Sequence, residues 1–261
     1  MRLTTFASGS SGNCALVSGE SGHILLDAGI SMKRIRENLS LSGLAPADLA
    51  GILITHEHAD HISGLAMLTK HHEIPIYAPR TVANHLRWAV PGAEACLHEI
   101  PVGEPFSLAG FTVTAFPTPH DTEQSVGYRL EEACVFALAT DMGHVSEQVM
   151  DGLRGADAVL IEANHDREML AGGPYPYSLK KRILSPRGHL ANDDCAQLAR
   201  CLAENGTRYI VLGHLSRENN TPGAAYRTVH AALADKEVFL CTAPCAERLT
   251  LELERSPSCS L

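Results

Sequence analysis

The stretch Gly51-Ile52-Leu53-Ile54-Thr55-His56-Glu57-His58-Ala59-Asp60-His61 decides the reading of this 261-residue chain. Gly51–Thr55 is an apolar, β-branched run of the kind that forms a buried strand. It ends directly on His56, His58, Asp60 and His61, four potential metal ligands within six residues. Strand-end loops are where α/β folds place chemistry, because rigid backbone fixes the side chains there. Imidazole and carboxylate together form the mixed ligand set expected for zinc or manganese. That spacing after an Ile-Leu-Ile strand argues against a His-rich surface loop without a role.

Outward from this segment, short apolar runs alternate with helical stretches, which predicts an α/β domain. Upstream, Leu3–Ala7, Ala15–Ser18 and His23–Asp27 read as strands, and Ser31 reads as the N-cap of a helix through Leu39. Downstream, a helix is expected over 64–72 and a short strand over Pro75–Tyr77. Several antiparallel strands are expected between Ala95 and Thr140. Ala158–Ile161 and Tyr209–Leu212 read as strands, 192–204 (capped by Asn192) and Pro222–Leu233 as helices, and Val238–Leu240 and Leu249–Glu254 as closing strands. One domain over 1–254 is the economical expectation, followed by a polar, flexible C-terminal tail over 255–261.

Hydrophobic residues make up 45% and charged residues 20%, the balance of an ordinary soluble globular protein. No leader with an apolar core and no membrane-length apolar run is visible, so the expected location is cytoplasmic, with no membrane partner. The eight cysteines contain no C-x-x-C pair, which excludes zinc-ribbon spacing. Cys134 is expected to be a buried inert thiol. Cys241 and Cys245 would form a disulfide or metal clip only against the habit of cytosolic proteins. The net charge of −9 argues against field-driven attraction to nucleic acid. It does not exclude a nucleic-acid substrate, because bound cations and a local basic patch reverse the sign inside a cleft. Fourteen histidines are the compositional anomaly. His71, His72, His85, His98 and His230 fit no motif and are expected at the surface.

His56, His58, Asp60 and His61 resemble the H-x-H-x-D-H signature of the metallo-β-lactamase superfamily. Four further positions follow that family's order: Asp27 in Leu-Leu-Asp-Ala-Gly, His120 in Pro-Thr-Pro-His-Asp, Asp141 in Ala-Thr-Asp-Met-Gly, and His214 in Leu-Gly-His-Leu. The resemblance implies a four-layer αββα sandwich and two divalent metal ions, zinc or manganese. It implies one ion on His56, His58 and His120, a second on Asp60, His61 and His214, and Asp141 bridging them. Asp60 would also orient the nucleophile, and Asp27 would steer a ligand histidine. Two adjacent cations bring a water molecule to near-neutral pKa and stabilise charge on substrate oxygens. Histidine at position 58, where di-iron relatives carry a carboxylate, favours hydrolysis over redox chemistry. Aspartate at 141, where the β-lactamases carry a thiol, points away from lactam cleavage.

Four more stretches closely resemble the YycJ/WalJ family of bacterial metallo-hydrolases: Phe6–Cys14, Ile161–Asp166, Ser185–Asp193 and Gly213–Asn220. That resemblance covers nearly the whole chain except the tail. It implies a nuclease or phosphodiesterase, described for the family as a 5′-to-3′ exonuclease on double-stranded DNA, with DNA favoured over RNA as partner. His189 matches the position that protonates the leaving oxygen in related tRNA-processing enzymes, and Glu162 would orient it. In the Ser/Gly loop, Gly9 and Gly12 allow close backbone approach, and Ser10, Ser11 and Asn13 offer polar groups to a phosphate. The alternative for that loop is a plain tight turn. Asn192 is a further candidate substrate contact. Lys180, Lys181, Arg182 and Arg187 form a basic cluster that either holds flanking phosphates or is a solvated helix face. Tyr175 and Tyr177 are expected in core packing, with base stacking as the alternative. The interval between Asp141 and His214 is too short for a β-CASP insertion, and no tRNA-clasping arm is visible. Two rival readings remain: a glyoxalase II-like thioester hydrolase, and a non-catalytic nucleic-acid-binding or regulatory module.

Overall fold

The computed structural model describes residues 1–254; the tail expected over 255–261 lies outside the described residues. In chain order the elements are β1 (Arg2–Ala7), β2 (Cys14–Ser18), β3 (His23–Leu26), α1 (Met32–Leu41), β4 (Leu49–Leu53), α2 (Ala59–Ile62), α3 (Leu65–His71), β5 (Ile76–Pro79), α4 (Arg80–Ala89), β6 (Leu97–Ile100), β7 (Pro105–Leu108) and β8 (Phe111–Pro117). There follow β9 (Val126–Glu131), β10 (Val135–Ala139), α5 (Glu147–Leu153), β11 (Ala158–Glu162), α6 (Arg167–Gly172), α7 (Tyr177–Ile183), α8 (Asn192–Glu204), β12 (Tyr209–Gly213), α9 (Pro222–Ala232), β13 (Phe239–Thr242) and β14 (Leu249–Glu252).

The strands form two mixed seven-stranded sheets, ordered β14-β1-β2-β3-β4-β5-β6 and β13-β12-β11-β10-β9-β8-β7. Three apolar clusters separate four layers. Leu3, Val17, Leu26, Val113, Tyr128 and Val211 belong to the cluster between the sheets. Ile35 and Leu39 of α1 and Leu86 of α4 pack on the outer face of the first sheet. Val149 of α5, Leu198 of α8 and Val229 of α9 pack on the outer face of the second. Apolar residues on both faces of the central strands explain the continuous apolar runs, for a sheet covered on both sides has no polar face to display. The αββα sandwich read from the sequence is the architecture found. Between Asp141 and His214 the chain supplies only α5, β11, α6, α7, α8 and β12, so no inserted domain interrupts it. No helix among the described residues is long and apolar enough to cross a membrane.

Several expectations need correction. Asn192 does not cap α8; Ala191 holds that position and Asn192 is the first helical residue. Its buried carboxamide is committed to Asn220, donating at 3.1 Å and accepting at 2.9 Å, so it cannot fold back onto the helix amides. The helix expected over 64–72 is found as α3, whereas α2 and α4 to α7 were not anticipated. Tyr177 is 82% exposed rather than packed in a core. Cys134 is buried, and Cys241 and Cys245 are free thiols.

Candidate metal centre

The site forms along one edge of the sandwich, where the C-terminal ends of strands from both sheets meet. In the first sheet β3 and β4 run parallel, and lead into Asp27 and the loop that carries His56. In the second sheet β10, β11 and β12 are parallel, and β8 shares their direction because both it and β10 are antiparallel to β9. Those strands lead to His120 (β8), Asp141 (β10), Glu162 (β11) and His214 (β12). Three of these residues adopt left-handed backbone: Asp27 at φ 56°, Asp141 at φ 57° and His214 at φ 55°. Non-glycine residues rarely hold that conformation, and where they do it clusters at functional sites.

The metal loop is seated by close backbone packing. Asn13 N donates to Asp60 O at 2.8 Å, and Ala28 N to His61 O at 2.8 Å. A Cβ at Gly29 would lie 1.6 Å from Asp60 O and 2.7 Å from Asn13 N, so only glycine fits between the two loops.

His56, His61, His120 and His214 each spend Nδ1 on a protein acceptor and turn Nε2 inward. His61 Nδ1 donates to Asp27 Oδ2 at 2.8 Å, and His214 Nδ1 to Glu162 Oε1 at 2.9 Å. His120 Nδ1 donates to the Gly188 carbonyl at 3.2 Å, and His56 Nδ1 to the Thr55 hydroxyl at 3.1 Å. This pattern fixes the tautomer a metal-ligating imidazole needs. The inward atoms then crowd together. His58 Nδ1 and His120 Nε2 are 3.2 Å apart. His61 Nε2 is 3.2 Å from Asp141 Oδ2 and 3.5 Å from Asp60 Oδ2. His214 Nε2 is 3.5 Å from both Asp60 Oδ2 and Asp141 Oδ1.

These residues fit cations. His56 Nε2 and Asp141 Oδ2 are buried with no hydrogen-bond partner, and buried polar atoms are costly when left so. His56, His58 and His120 form one group able to hold an ion, and Asp60, His61 and His214 form another. His56, His61 and Asp141 form a third group of the same kind, so Asp141 stands between the first two. Burial alone would raise the Asp141 carboxyl, but the charges on His214 and His61 hold it well below the carboxylate range. Burial likewise opposes ionisation of Asp60, and hydrogen bonds with His214 and His61 overcome it. Both carboxylates are therefore ionised and ready for a cation. Burial pushes His56 well below the usual imidazole value, which leaves it neutral as a ligand must be.

Glu162 is fully buried and has four partners. Oε1 accepts from His189 Nδ1 at 2.8 Å as well as from His214, and Oε2 accepts from Met142 N at 2.9 Å and Leu190 N at 3.1 Å. Burial alone would lower the His189 pKa; the Glu162 carboxylate beside it raises it instead. His189 Nδ1 is also 3.7 Å from Asp141 Oδ1, so this mostly buried, charge-stabilised imidazole shares a further ion-capable group with Asp141, Glu162 and His214.

The remaining candidates divide. Asn13 is buried, with Nδ2 3.1 Å from His61 Nε2 and 3.4 Å from Asp60 Oδ2, so it braces ligands rather than facing solvent. Ser10 lines a cavity shared with His189, Ser11 is exposed at the loop tip, and Asn192 is turned away into its bond with Asn220. The basic cluster disperses: Lys180 Nζ donates to Ala171 O at 2.7 Å, Arg182 pairs with Asp121, and Arg187 Nε donates to His120 O at 2.6 Å. His144 Nδ1 donates to Pro186 O at 2.8 Å. Two site residues escaped the sequence reading. Thr55 donates its hydroxyl to Asp27 at 3.0 Å, and Asp121 Oδ1 lies 3.3 Å from His120 Nε2. Both directly adjoin a ligand histidine in sequence, which is the one signal that points to them.

Comparison with known proteins agrees with this geometry. The model of the family described as Beta-lactamase superfamily domain matches residues 23–215. The chain is 35% identical over 240 residues to the exodeoxyribonuclease YycJ of Bacillus anthracis, covering 90% of each chain. It is 36% identical over 246 residues to the exodeoxyribonuclease WalJ of Streptococcus pneumoniae, covering 91% of this chain and 90% of that one. The crystal structure of the metallo-β-lactamase fold protein YhfI from Bacillus subtilis shares the fold, with a TM-score of 0.72 at 15% identity over 96% of this chain and 99% of that one. The chain belongs to the β-lactamase superfamily, in its YycJ/WalJ branch, and is a metal-dependent hydrolase.

Proposed function

We propose that the chain is a two-metal phosphodiesterase that degrades double-stranded DNA as a 5′-to-3′ exonuclease, with zinc or manganese as its ions. His56, His58 and His120 would hold one ion, Asp60, His61 and His214 the other, and Asp141 would serve both. When bound, the ions supply a water acidic enough to deprotonate near neutral pH and positive charge for the phosphate oxygens. Asp60 ligates and orients the attacking water, while Asp27 and Glu162 position ligand histidines. The similarity to two relatives named exodeoxyribonucleases supports DNA as the substrate.

The observation that carries the choice of chemistry is His189, held and charged by Glu162 at 2.8 Å and 3.7 Å from Asp141. Hydrolysis of a phosphodiester joins the water oxygen to phosphorus, breaks the bond from phosphorus to a sugar oxygen, and delivers a proton to that oxygen. With Nδ1 committed to Glu162, Nε2 of His189 is the proton donor. A sugar alkoxide needs that proton, whereas a thiolate, with a thiol pKa of about 8.5, departs without one. A thioester hydrolase with this ligand set has no use for such an imidazole.

The test combines metal analysis with a panel of 5′-phosphorylated duplex DNA, single-stranded DNA, RNA and a thioester, each before and after EDTA. Activity on the thioester alone would overturn the proposal. Less than one metal per chain, together with a harmless His58→Ala, would favour a non-catalytic binding module. His189→Ala is expected to keep its metal and lose about 10²–10⁴-fold in turnover of DNA. It should keep most activity on bis(p-nitrophenyl) phosphate, whose leaving group needs no proton. Loss of metal in His189→Ala would remove its assignment as the acid.

A further inference from the structure

Beside His189 lies a cavity of about 150 Å³ that the chemistry above does not use. Ser10 of the Ser/Gly loop, Ser216 after β12, and Tyr175, Leu179, Arg182 and Ile183 of the α7 region line it. Its size is well below the roughly 300 Å³ at which pockets for drug-sized ligands begin, so it suits a sugar-phosphate group rather than a run of nucleotides. Leu179 and Ile183 give it an apolar wall, and its polar lining includes three hydroxyls, the Arg182 guanidinium and Asn164, whose Nδ2 donates to His214 O at 2.9 Å. The Ser10 hydroxyl and the Tyr175 hydroxyl have no partner among the described residues. Arg182 gives Nε to Asp121, and its two terminal amino groups have no partner among the described residues. Asp121 thus takes one edge of the guanidinium and orients the other, the arrangement that suits bidentate recognition of a phosphate.

Resting on the exonuclease reading, we propose that this cavity binds the terminal 5′-phosphate of the strand being degraded, and that α7 limits cleavage to one nucleotide from the end. The bond broken is that from phosphorus to O3′ of the terminal nucleotide. That oxygen takes the proton from His189, so the nucleotide being released lies on His189's side of the scissile phosphate, where the cavity is. A chain with net charge −9 needs a local cation to receive a dianionic phosphomonoester, and Arg182 provides it. Asp121, which holds Arg182, also places its Oδ1 3.3 Å from Nε2 of His120.

The experiment compares kcat/KM on duplex DNA ending in 5′-phosphate and in 5′-hydroxyl, for metal-loaded wild type, Arg182→Ala, Arg182→Lys and Tyr175→Phe. Wild type should prefer the 5′-phosphate. Arg182→Ala should lower kcat/KM on that end by about 10- to 100-fold, the worth of a hydrogen bond to a charged group, and close the gap between the two ends. Arg182→Lys should restore part of the preference. Equal slowing of both ends by Arg182→Ala, or a wild type indifferent to the 5′-phosphate, would overturn the pocket while leaving the nuclease reading intact. A wild type that cleaves no nucleic acid would sink that reading instead. In that event equilibrium titration with thymidine 5′-monophosphate against thymidine decides the pocket: an Arg182-dependent preference for the monophosphate supports it, and none overturns it.

Discussion

Glu162→Gln is the perturbation that reaches furthest into this site, because one fully buried carboxylate serves four donors. Oε1 receives His189 and His214 at 2.8 and 2.9 Å, and Oε2 receives the amides of Met142 and Leu190 at 2.9 and 3.1 Å. Glutamine preserves the shape but replaces one oxygen with an NH₂ that can only donate. If the NH₂ faces the backbone, two buried amides lose their acceptor at about 1–3 kcal/mol each, or about 2–6 kcal/mol in all. If it faces the imidazoles, both must accept at Nδ1, which moves the proton to Nε2, the atom His214 turns toward Asp60 and Asp141. Either way the negative charge that raises the His189 pKa is gone. The expected result is a folded protein of lower melting temperature, whose affinity for the ion at His214 falls about 10–100-fold. Turnover of DNA falls further, because the acid is lost as well. Chelator-competition titration, thermal unfolding of the metal-free protein and single-turnover cleavage measure the three effects separately. Wild-type metal affinity in folded Glu162→Gln would refute the claim that Glu162 sets the His214 tautomer.

Gly29→Ala should displace Asp60, since its Cβ would meet Asp60 O at 1.6 Å; overpacking of this kind costs about 1–3 kcal/mol, and a misplacement of about 1 Å costs about 100-fold in rate, both readable by denaturant unfolding and kinetics. Asp141→Ala removes the carboxylate that lies 3.2 Å from His61, 3.5 Å from His214 and 3.7 Å from His120, so metal content after gel filtration and activity should fall together, and activity surviving without a second metal would contradict the shared-ligand role. His165 is buried with neither ring nitrogen partnered, and burial lowers its pKa to about 4. The unfolded chain, with an ordinary value near 6.5, takes up that proton first, so stability falls as pH drops from 6.5 to 4, at about 1.4 kcal/mol per unit and about 3 kcal/mol in all. His165→Phe should lose less stability over that range than wild type in urea titrations, and an identical pH slope would refute the assignment.

Legibility of the sequence followed the length scale of each interaction. The H-x-H-x-D-H loop is local and follows a five-residue strand, so its chemistry could be read before any fold was known. The central strands were equally legible, because burial on both faces leaves an uninterrupted apolar run. Helices α5, α6 and α7 are six or seven residues long and too short for a periodic apolar stripe to declare itself. For the first two the caps were the better signal: Ser146 accepts from Val149 N, and Asp166 from Glu168 N and Met169 N. The second role of Glu162 depends on register. β11 and β12 pair with Glu162 opposite Gly213, which brings the carboxylate beside His214, and no single-chain pattern reports that alignment. The end pocket draws on positions from 10 to 216, with no periodicity to link them.

The strained residues show how the two sheets share one site. Asp27, Asp141 and His214 each hold left-handed backbone at about 1–3 kcal/mol, and each is clamped by hydrogen bonds to another loop. Thr55 N donates to Asp27 Oδ1 at 2.9 Å, Met142 N to Glu162 Oε2 at 2.9 Å, and Ser8 Oγ accepts from His214 N at 2.9 Å. Asp27 therefore organises the half of the site carried by the first sheet, and Glu162 the half carried by the second. At the centre of the site the halves meet through candidate ligand atoms, His61 against Asp141 at 3.2 Å and Asp60 against His214 at 3.5 Å. Ionised carboxylates facing imidazoles at that seam offer a cation a place between them. Metal binding should accordingly stabilise the contact between the sheets as well as the loops, and the metal-loaded protein should unfold at a higher temperature than the chelated one by a margin that Asp141→Ala abolishes.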